Sequence, residues 1–399
     1  MLQTRTIVRT LFVLAVAPLL GACSHGAAPE SVTPATASGI PTNLAQAATG
    51  PRVLAAEFAF AANFGSNNIS GYRIAASGAL RPLAGSPVAS GAGPTELAID
   101  PTGKFAYAPN FNGGNVSGYA INGRGTLTPV AGSPFGAGNR PYFGAFDTSG
   151  KFLYVANNGN SNVSGYGVSA TSGALTPIQG SPFATGTYPD GVAADPKGKF
   201  LYVCNHGSND VWAYAINATT GALSPVPGSP FTAGSQPLFV AVAPSGKFVY
   251  VANNGSNNVS AYSIKATTGA LSPVSGSPFG ADNGPYGIAI DPASRFLYVP
   301  NNRSNDVSAF AINAATGFLS PVSGSPFGAG PNTNGVGIDP LGKFLYAANY
   351  QSNNISGFAI NGSSGALTSI PGSPFAAGAA PYVITTCRRS LGTCVPPLL

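Results

Sequence analysis

Ionisable chemistry is scarce in this chain of 399 residues. Charged residues make up 8% of it, with 12 acids, 18 Lys and Arg, and two histidines. One histidine, His25, lies near the N-terminus, which leaves His206 alone in the body of the chain. So few histidines, and four cysteines without a Cys-x-x-Cys pair, exclude the familiar Cys/His metal centres and dithiol redox chemistry. The sequence has no Gly-x-Ser-x-Gly elbow, no His-Glu-x-x-His, no EF-hand loop and no Gly-rich phosphate loop opening a helix. No cofactor and no metal are expected. A basic stripe is also missing, which argues against nucleic acid as a partner.

What the chain has instead is glycine, proline and a period. The tripeptide Gly-Ser-Pro begins at Gly85, Gly132, Gly180, Gly228, Gly276, Gly324 and Gly372, a step of 47 and then five steps of 48 residues. A period of this length is the mark of a repeat architecture. Within one unit, Pro189 to Phe231, four short apolar runs lie between turn signals: Gly191–Ala194, Phe200–Cys204, Val211–Ile216 and Ala222–Val226. Asp195-Pro196-Lys197-Gly198 reads as a β-turn and Thr220-Gly221 as another. The strands are apolar on both faces, so each four-stranded antiparallel sheet must sit between two others. Radial stacking of such units is a β-propeller.

Six complete units start at Pro94, Pro141, Pro189, Pro237, Pro285 and Thr333. The chain enters with three strands, Glu57–Ala62, Asn68–Ile74 and Ala79–Leu83, and leaves with one orphan, Pro381–Cys387. The reading is an all-β, seven-bladed propeller over residues 53–387, closed by N- and C-terminal strands that share one blade. Residues 388–399 form a short tail.

The first 22 residues read as a signal peptide. Arg5 and Arg9 precede the apolar run Leu11–Leu20, which is too short to span a bilayer. Leu20-Gly21-Ala22-Cys23 resembles the bacterial lipobox, which implies lipidation at Cys23, and Ser24 behind it implies sorting to an outer membrane. Residues 23–52 are then a lipidated cysteine and an Ala/Pro/Ser/Thr-rich tether, and only the lipid anchor touches membrane. Loss of Arg5 and Arg9 takes the formal charge from +6 to +4. In an oxidising envelope Cys387 and Cys394 form a disulfide, and Cys204 is a buried thiol. Lys104, Lys151, Lys199, Lys247, Arg295 and Lys343 recur in the first turn of each unit and ring one face. Asp100, Asp147, Asp195, Asp291 and Asp339 in the same turns largely cancel them, so the ring reads as solvated turns.

The phrase D-P-x-G-K-F-L-Y-V-A-N-x-x-S-N-x-V-S-x-Y-x-I-x-x-x-T-G-x-L-x-P-V is seen from Asp195, and near-identically from Ala243 and Asp291. It resembles the repeat of lactonase-type propellers, which include 6-phosphogluconolactonase-like and muconate-lactonizing-like proteins and overlap the YVTN surface repeat. That resemblance implies a lactone hydrolase. In that group the innermost strands often carry histidine two residues after the proline. Here those positions hold Glu96, Phe143, Gly191, Phe239, Gly287, Gly335 and Val383.

Function is therefore sought where the repeats disagree. On the face formed by the second-to-third turns and the inter-blade crossings, Glu96, Arg140, Asp190 and His206 fall on blades two to four. Tyr142, Phe143, Tyr188, Phe239, Tyr286 and Tyr382 add aromatic surface. As a catalytic set, Asp190, Glu96 or His206 is the general base on water, and Arg140 stabilises the oxyanion or an anionic substrate. Two functions remain open: hydrolysis of a small lactone, or a non-catalytic envelope protein binding a sugar-like ligand or a protein partner, as a monomer in either case. The anchor is testable: radioactive palmitate should label the wild-type chain and not Cys23→Ala, and continued labelling of the variant would remove the lipobox reading.

Overall fold

The computed structural model describes residues 56–390 and 393–395, with side chains from 56 to 388. The signal peptide, Cys23, the tether, the Cys394 side chain and residues 391–392 and 396–399 of the tail lie outside the described residues. Seven antiparallel sheets follow one another along the chain as the blades of a propeller. Blade 1 consists of Glu57–Asn63, Asn68–Ile74 and Leu80–Pro82, and its innermost strand is the C-terminal Pro381–Ser390. The register runs Glu57↔Arg388, Phe58↔Cys387, Ala59↔Thr386 and Phe60↔Thr385, so the two ends of the chain close the ring as the orphan-strand count anticipates. Closure leaves no free sheet edge between first and last blade. Cys387 is disulfide-bonded, and Cys204 is a buried free thiol.

Blades 2 to 7 each carry one more strand than the four expected, and blade 1 carries two more, one of them Thr393–Val395 beside the closing strand. A two-residue strand follows each Gly-Ser-Pro and pairs with the blade's third strand; in blade 4, Phe231–Thr232 pairs with Asp210–Val211. The tripeptide builds that return. Its glycine takes a positive φ of 78° to 87° in all seven repeats, and its Ser-Pro bond is cis in all seven. Its serine Oγ accepts the third strand's N–H, as from Gly71 to Ser86 at 2.7 Å and from Ala261 to Ser277 at 2.9 Å. A third-strand donor left over where the outer strand ends is thereby satisfied.

Burial on both faces follows the pattern of the strands: Leu201, Tyr202 and Val203 are each 0% exposed. Neighbouring blades are also stitched by hydrogen bonds. The second-strand tyrosine of one blade donates to a glycine carbonyl in the next, as Tyr202 to Gly269 at 3.0 Å and Tyr154 to Gly221 at 2.7 Å. Tyr346 to Gly78 at 2.7 Å carries the stitch across the closure. Gly269 has φ +76°, and a Cβ there would sit 2.4 Å from Phe200 Cδ1, so this turn admits no larger residue.

Two further columns are structural. Asp100, Asp147, Asp195, Asp291 and Asp339 are all buried, and each accepts the N–H five residues on, for example Phe105 to Asp100 at 2.8 Å. The bases beside them are exposed. The asparagine ending each second strand is 0% exposed, and Asn63 Nδ2 donates to Asn68 Oδ1 and Ser70 Oγ, both at 2.8 Å.

Inner strands break register just after their leading proline. The ladder shifts between Pro141 and Gly144, Pro189 and Val192, Pro237 and Phe239, and Thr333 and Val336. In blades 2 and 6 only an isolated bridge, Pro94↔Asn110 or Pro285↔Asn301, holds that end. A bulge re-aims side chains, and these bulges stand where the blades meet the axis. Deleting 381–399 strips blade 1 of its inner strand. The truncated domain should lose cooperative thermal unfolding by circular dichroism, and a melt matching the intact chain would refute the closure.

Candidate functional site

Two columns of the repeat encircle the axis at the end of the blades where second strands turn into third strands. The residue after the leading proline is Thr95, Tyr142, Asp190, Leu238, Tyr286, Asn334 and Tyr382 in successive blades. The residue after the invariant asparagine is Phe64, Phe111, Asn158, His206, Asn254, Asn302 and Tyr350.

The first column supplies a plug. Tyr142, Tyr286 and Tyr382 come from blades 3, 6 and 1, and their hydroxyls meet: Tyr142 to Tyr286 at 2.6 Å, and Tyr382 to both. Burial pushes Tyr286 up to about 12 and the other two well above the ordinary phenol value, so all three keep their protons. Phe64, Phe111 and Tyr350 pack round the plug at ring separations of 5.5 to 5.9 Å. Tyr142 and Tyr382 are buried and Tyr286 is partly buried, in contrast to the aromatic surface expected from sequence. Tyr188 is the exposed one, at 51%.

Asp190 and His206 are brought together. His206 Nδ1 lies 3.1 Å from Asp190 Oδ2, with side chains 35% and 3% exposed. No well-aligned hydrogen bond reaches Nδ1, so the contact is an electrostatic one with the imidazole tilted off the carboxylate. Asn158 Nδ2 donates to the other oxygen of Asp190 at 2.7 Å. Burial pushes the Asp190 carboxyl up, opposed by His206 and Asn158. Contact with Asp190 pushes the His206 imidazole up, opposed by partial burial. Tyr188 stacks on the far side of the imidazole at 5.6 Å and 28°. The residue before the proline adopts positive φ, 53° at both Arg140 and Tyr188. A tyrosine or arginine is uncommon in that region, and here the conformation stands these side chains up on the rim.

Arg140 does not join the pair. It is exposed, its guanidinium stands 5.6 Å over the Phe111 ring, and among the described residues no carboxylate pairs with it. Glu96 lies elsewhere again. Its carboxyl is buried and Oε1 accepts the Gly144 N–H at 2.6 Å. It lines a cavity of about 180 Å³ that runs among the inner strands to the turns at Pro101, Thr148, Pro196 and Pro244, the opposite end of the blades from His206. Neither Arg140, Asp190 nor His206 lines that cavity. The four residues sharing a sector by sequence thus form a dyad, a rim cation and a buried acid. Asp306, also on the mouth face, accepts from Asn301 at 2.7 Å and does the work that Asn does in other blades.

Among the described residues no group of three or more His, Cys, Asp or Glu is placed to hold a metal. Two buried acceptors at the mouth, Asn302 Oδ1 and Asn334 Oδ1, have no donor. These two asparagines, Asn158 and the Phe64–Phe111–Tyr350 arc were not singled out from sequence. Aligning the columns after the proline and after the asparagine, rather than two residues after the proline, would have found them.

The family model described as a lactonase, seven-bladed β-propeller, matches residues 30–141, 54–237, 226–334 and 277–384. The chain belongs to the lactonase propeller family. Solved structures agree on the fold. A periplasmic gluconolactonase of Pseudomonas aeruginosa is 21% identical with TM-score 0.72, covering 86% of this chain and 99% of its own. A candidate 6-phosphogluconolactonase of Bacteroides fragilis is 23% identical with TM-score 0.74, covering 83% and 98%. A protein of Lactobacillus plantarum is 20% identical with TM-score 0.71, covering 84% and 99%. No curated protein matches the chain.

In this lactonase-family chain Glu96 makes a prediction about stability. Burial pushes its carboxyl up to about 8 from an ordinary 4.5, against the weaker opposing effect of the Gly144 N–H. The folded state therefore holds a proton that the unfolded state releases above pH 4.5. The contribution is fully present below that pH and is lost as pH rises to about 8, a fall on the order of 4 kcal/mol. Asp190, at the mouth, shifts in the same direction. Urea unfolding at pH 5 and pH 8 should show the wild type losing stability, and Glu96→Gln should lose much less. Equal losses in both would show that Glu96 does not carry the dependence.

Proposed function

We propose that the chain hydrolyses a small lactone at the mouth closed by the tyrosine plug, with His206 as general base. The observation that carries this is the Asp190–His206 contact at 3.1 Å, buried on the aspartate side and open on the imidazole side. Blade 4 alone has an acid after its proline and an imidazole after its asparagine. Asp190 lies against Nδ1, which leaves Nε2 as the nitrogen to take a proton from water. The oxygen of that water bonds to the lactone carbonyl carbon, the ring C–O bond breaks, and the imidazolium returns the proton to the leaving alkoxide. Arg140, unpaired by any described carboxylate, is the cation available to the developing oxyanion or to an anionic substituent. Asn302 and Asn334 offer acceptors to substrate hydroxyls. The aromatic arc offers a face for a sugar-like ring. The lipobox-like Leu20-Gly21-Ala22-Cys23 supports an exported, lipid-anchored chain and a cell-envelope setting for this reaction.

A second reading has its own support. The same arc, the exposed Tyr188 and the unpaired acceptors suit a module that binds a sugar-like ligand or a protein partner without turnover.

Hydrolysis of a panel of aldonolactones and aliphatic lactones separates them. His206→Ala should lower kcat/KM on the order of 10²-fold or more. The base must be neutral, and Asp190 raises its pKa. The rate should therefore rise with pH on a limb above the ordinary histidine value, and Asp190→Asn should move that limb down. Absence of turnover across the panel, with binding retained, would leave the binding module.

A further inference from the structure

Below the plug the axis holds a second site, unrelated to the dyad. The cavity of about 180 Å³ is walled by apolar groups, among them Leu97, Phe143, Phe239, Val240 and Ile288. Cavities of about 150 Å³ with such walls accept benzene-sized molecules. Thr148, Thr385 and two aspartates also line it, but Asp147 and Asp195 spend both oxygens on hydrogen bonds within their turns, which leaves Glu96 as the lining carboxyl with an oxygen to offer. At the position where six blades carry Phe, Gly or Val, blade 2 carries Glu96. A carboxyl at such a site is unfavourable unless paired, and among the described residues it accepts one hydrogen bond, from the Gly144 N–H to Oε1. The second oxygen has no protein partner among the described residues. The fold would accept Phe, Gly or Val there, as its sister repeats do, so Glu96 is not required by packing.

We propose that this cavity binds a small uncharged ring compound bearing a carbonyl, whose oxygen accepts a hydrogen bond from the Glu96 carboxyl. The wall selects the ring, and the acid proton selects the acceptor. The protonated state is favoured by the surroundings, since burial pushes this carboxyl up to about 8. Other titratable groups on the elements around it do not compete. Asp100, Asp147 and Asp195 spend oxygens on backbone N–H groups. Tyr107, Tyr142 and Tyr382 are pushed upward by burial. Arg388, at the far end of the closing strand, lies 3.8 Å from Glu57. Lys104, Lys151 and Lys199, at the turns that the cavity reaches, are exposed and do not line it.

Acetophenone, which accepts but cannot donate, is the probe, with ethylbenzene as its isostere lacking the carbonyl. Binding to the wild-type chain is followed by ligand-detected NMR. Acetophenone should bind more tightly than ethylbenzene at pH 6 and lose that preference, about tenfold, by pH 9.5 as Glu96 ionises. Glu96→Gln, which keeps an N–H donor, should retain the preference at both pH values. Glu96→Leu should abolish it while still binding ethylbenzene. His206→Ala should change none of this, which separates the cavity from the mouth. Equal affinity for the two probes at pH 6, or loss of binding in His206→Ala, would overturn the proposal.

Discussion

A sheet that is apolar on both faces has no stable existence alone, and the rest of this molecule follows from that requirement. Each blade must find a neighbour on either side, so the stack continues until it meets itself. The chain meets itself by lending its last strand to its first blade, with Phe60 opposite Thr385 and Ala59 opposite Thr386. The Tyr346–Gly78 bond then repeats across the joint the stitch that Tyr202–Gly269 makes between ordinary neighbours. Because every interface is the same interface, its residues must recur. Tyr, Gly, Asn, Asp and Ser-Pro columns are what one packing solution looks like when it recurs round a ring.

That recurrence explains which parts were legible in the sequence. Blade number, strand bounds and closure could be read because they depend on periodic residues such as the Gly-Ser-Pro serines, whose Oγ atoms each serve one third-strand N–H. The short return strand after Ser-Pro was not legible, since two residues carry no period. The candidate site was legible only in part. Asp190 and His206 stood out because both depart from their columns. Their contact could not be read, because it depends on a bulge after Pro189 that turns Asp190 toward the axis. Glu96 and Asp190 stand one residue apart in their repeats, Glu96 two after its proline and Asp190 one after. In an extended strand, adjacent residues face opposite ways, and at a bulge one step changes which end of the axis a side chain reaches.

The charge pattern has the same logic. Five turn aspartates looked like surface charge balancing a ring of lysines. They are buried, and their oxygens hold backbone N–H groups such as those of Phe105 and Phe200. Their role is to shape a turn, as a capping residue does at a helix end, and the lysines beside them remain in solvent. A chain with so few ionisable groups thus uses most of its acids as internal acceptors. Among the others, Asp190 and Glu96 are buried on the inner strands.

Those two acids lie on one axis and are kept apart by the tyrosine plug. Three hydroxyls that satisfy one another close the centre without charge, and the rings around them exclude water. Above the plug, Asp190 has His206 and Asn158 as partners, so its charge is compensated and it can hold an imidazole in place. Below it, Glu96 has a single N–H and apolar walls, so the neutral acid is the stable form. An open tunnel would have admitted water to both and drawn them toward the same ordinary carboxyl behaviour. By filling the axis with phenols, this propeller keeps an acid with side-chain partners at one end and an acid with a single backbone partner at the other, within a fold whose repeats are otherwise nearly identical.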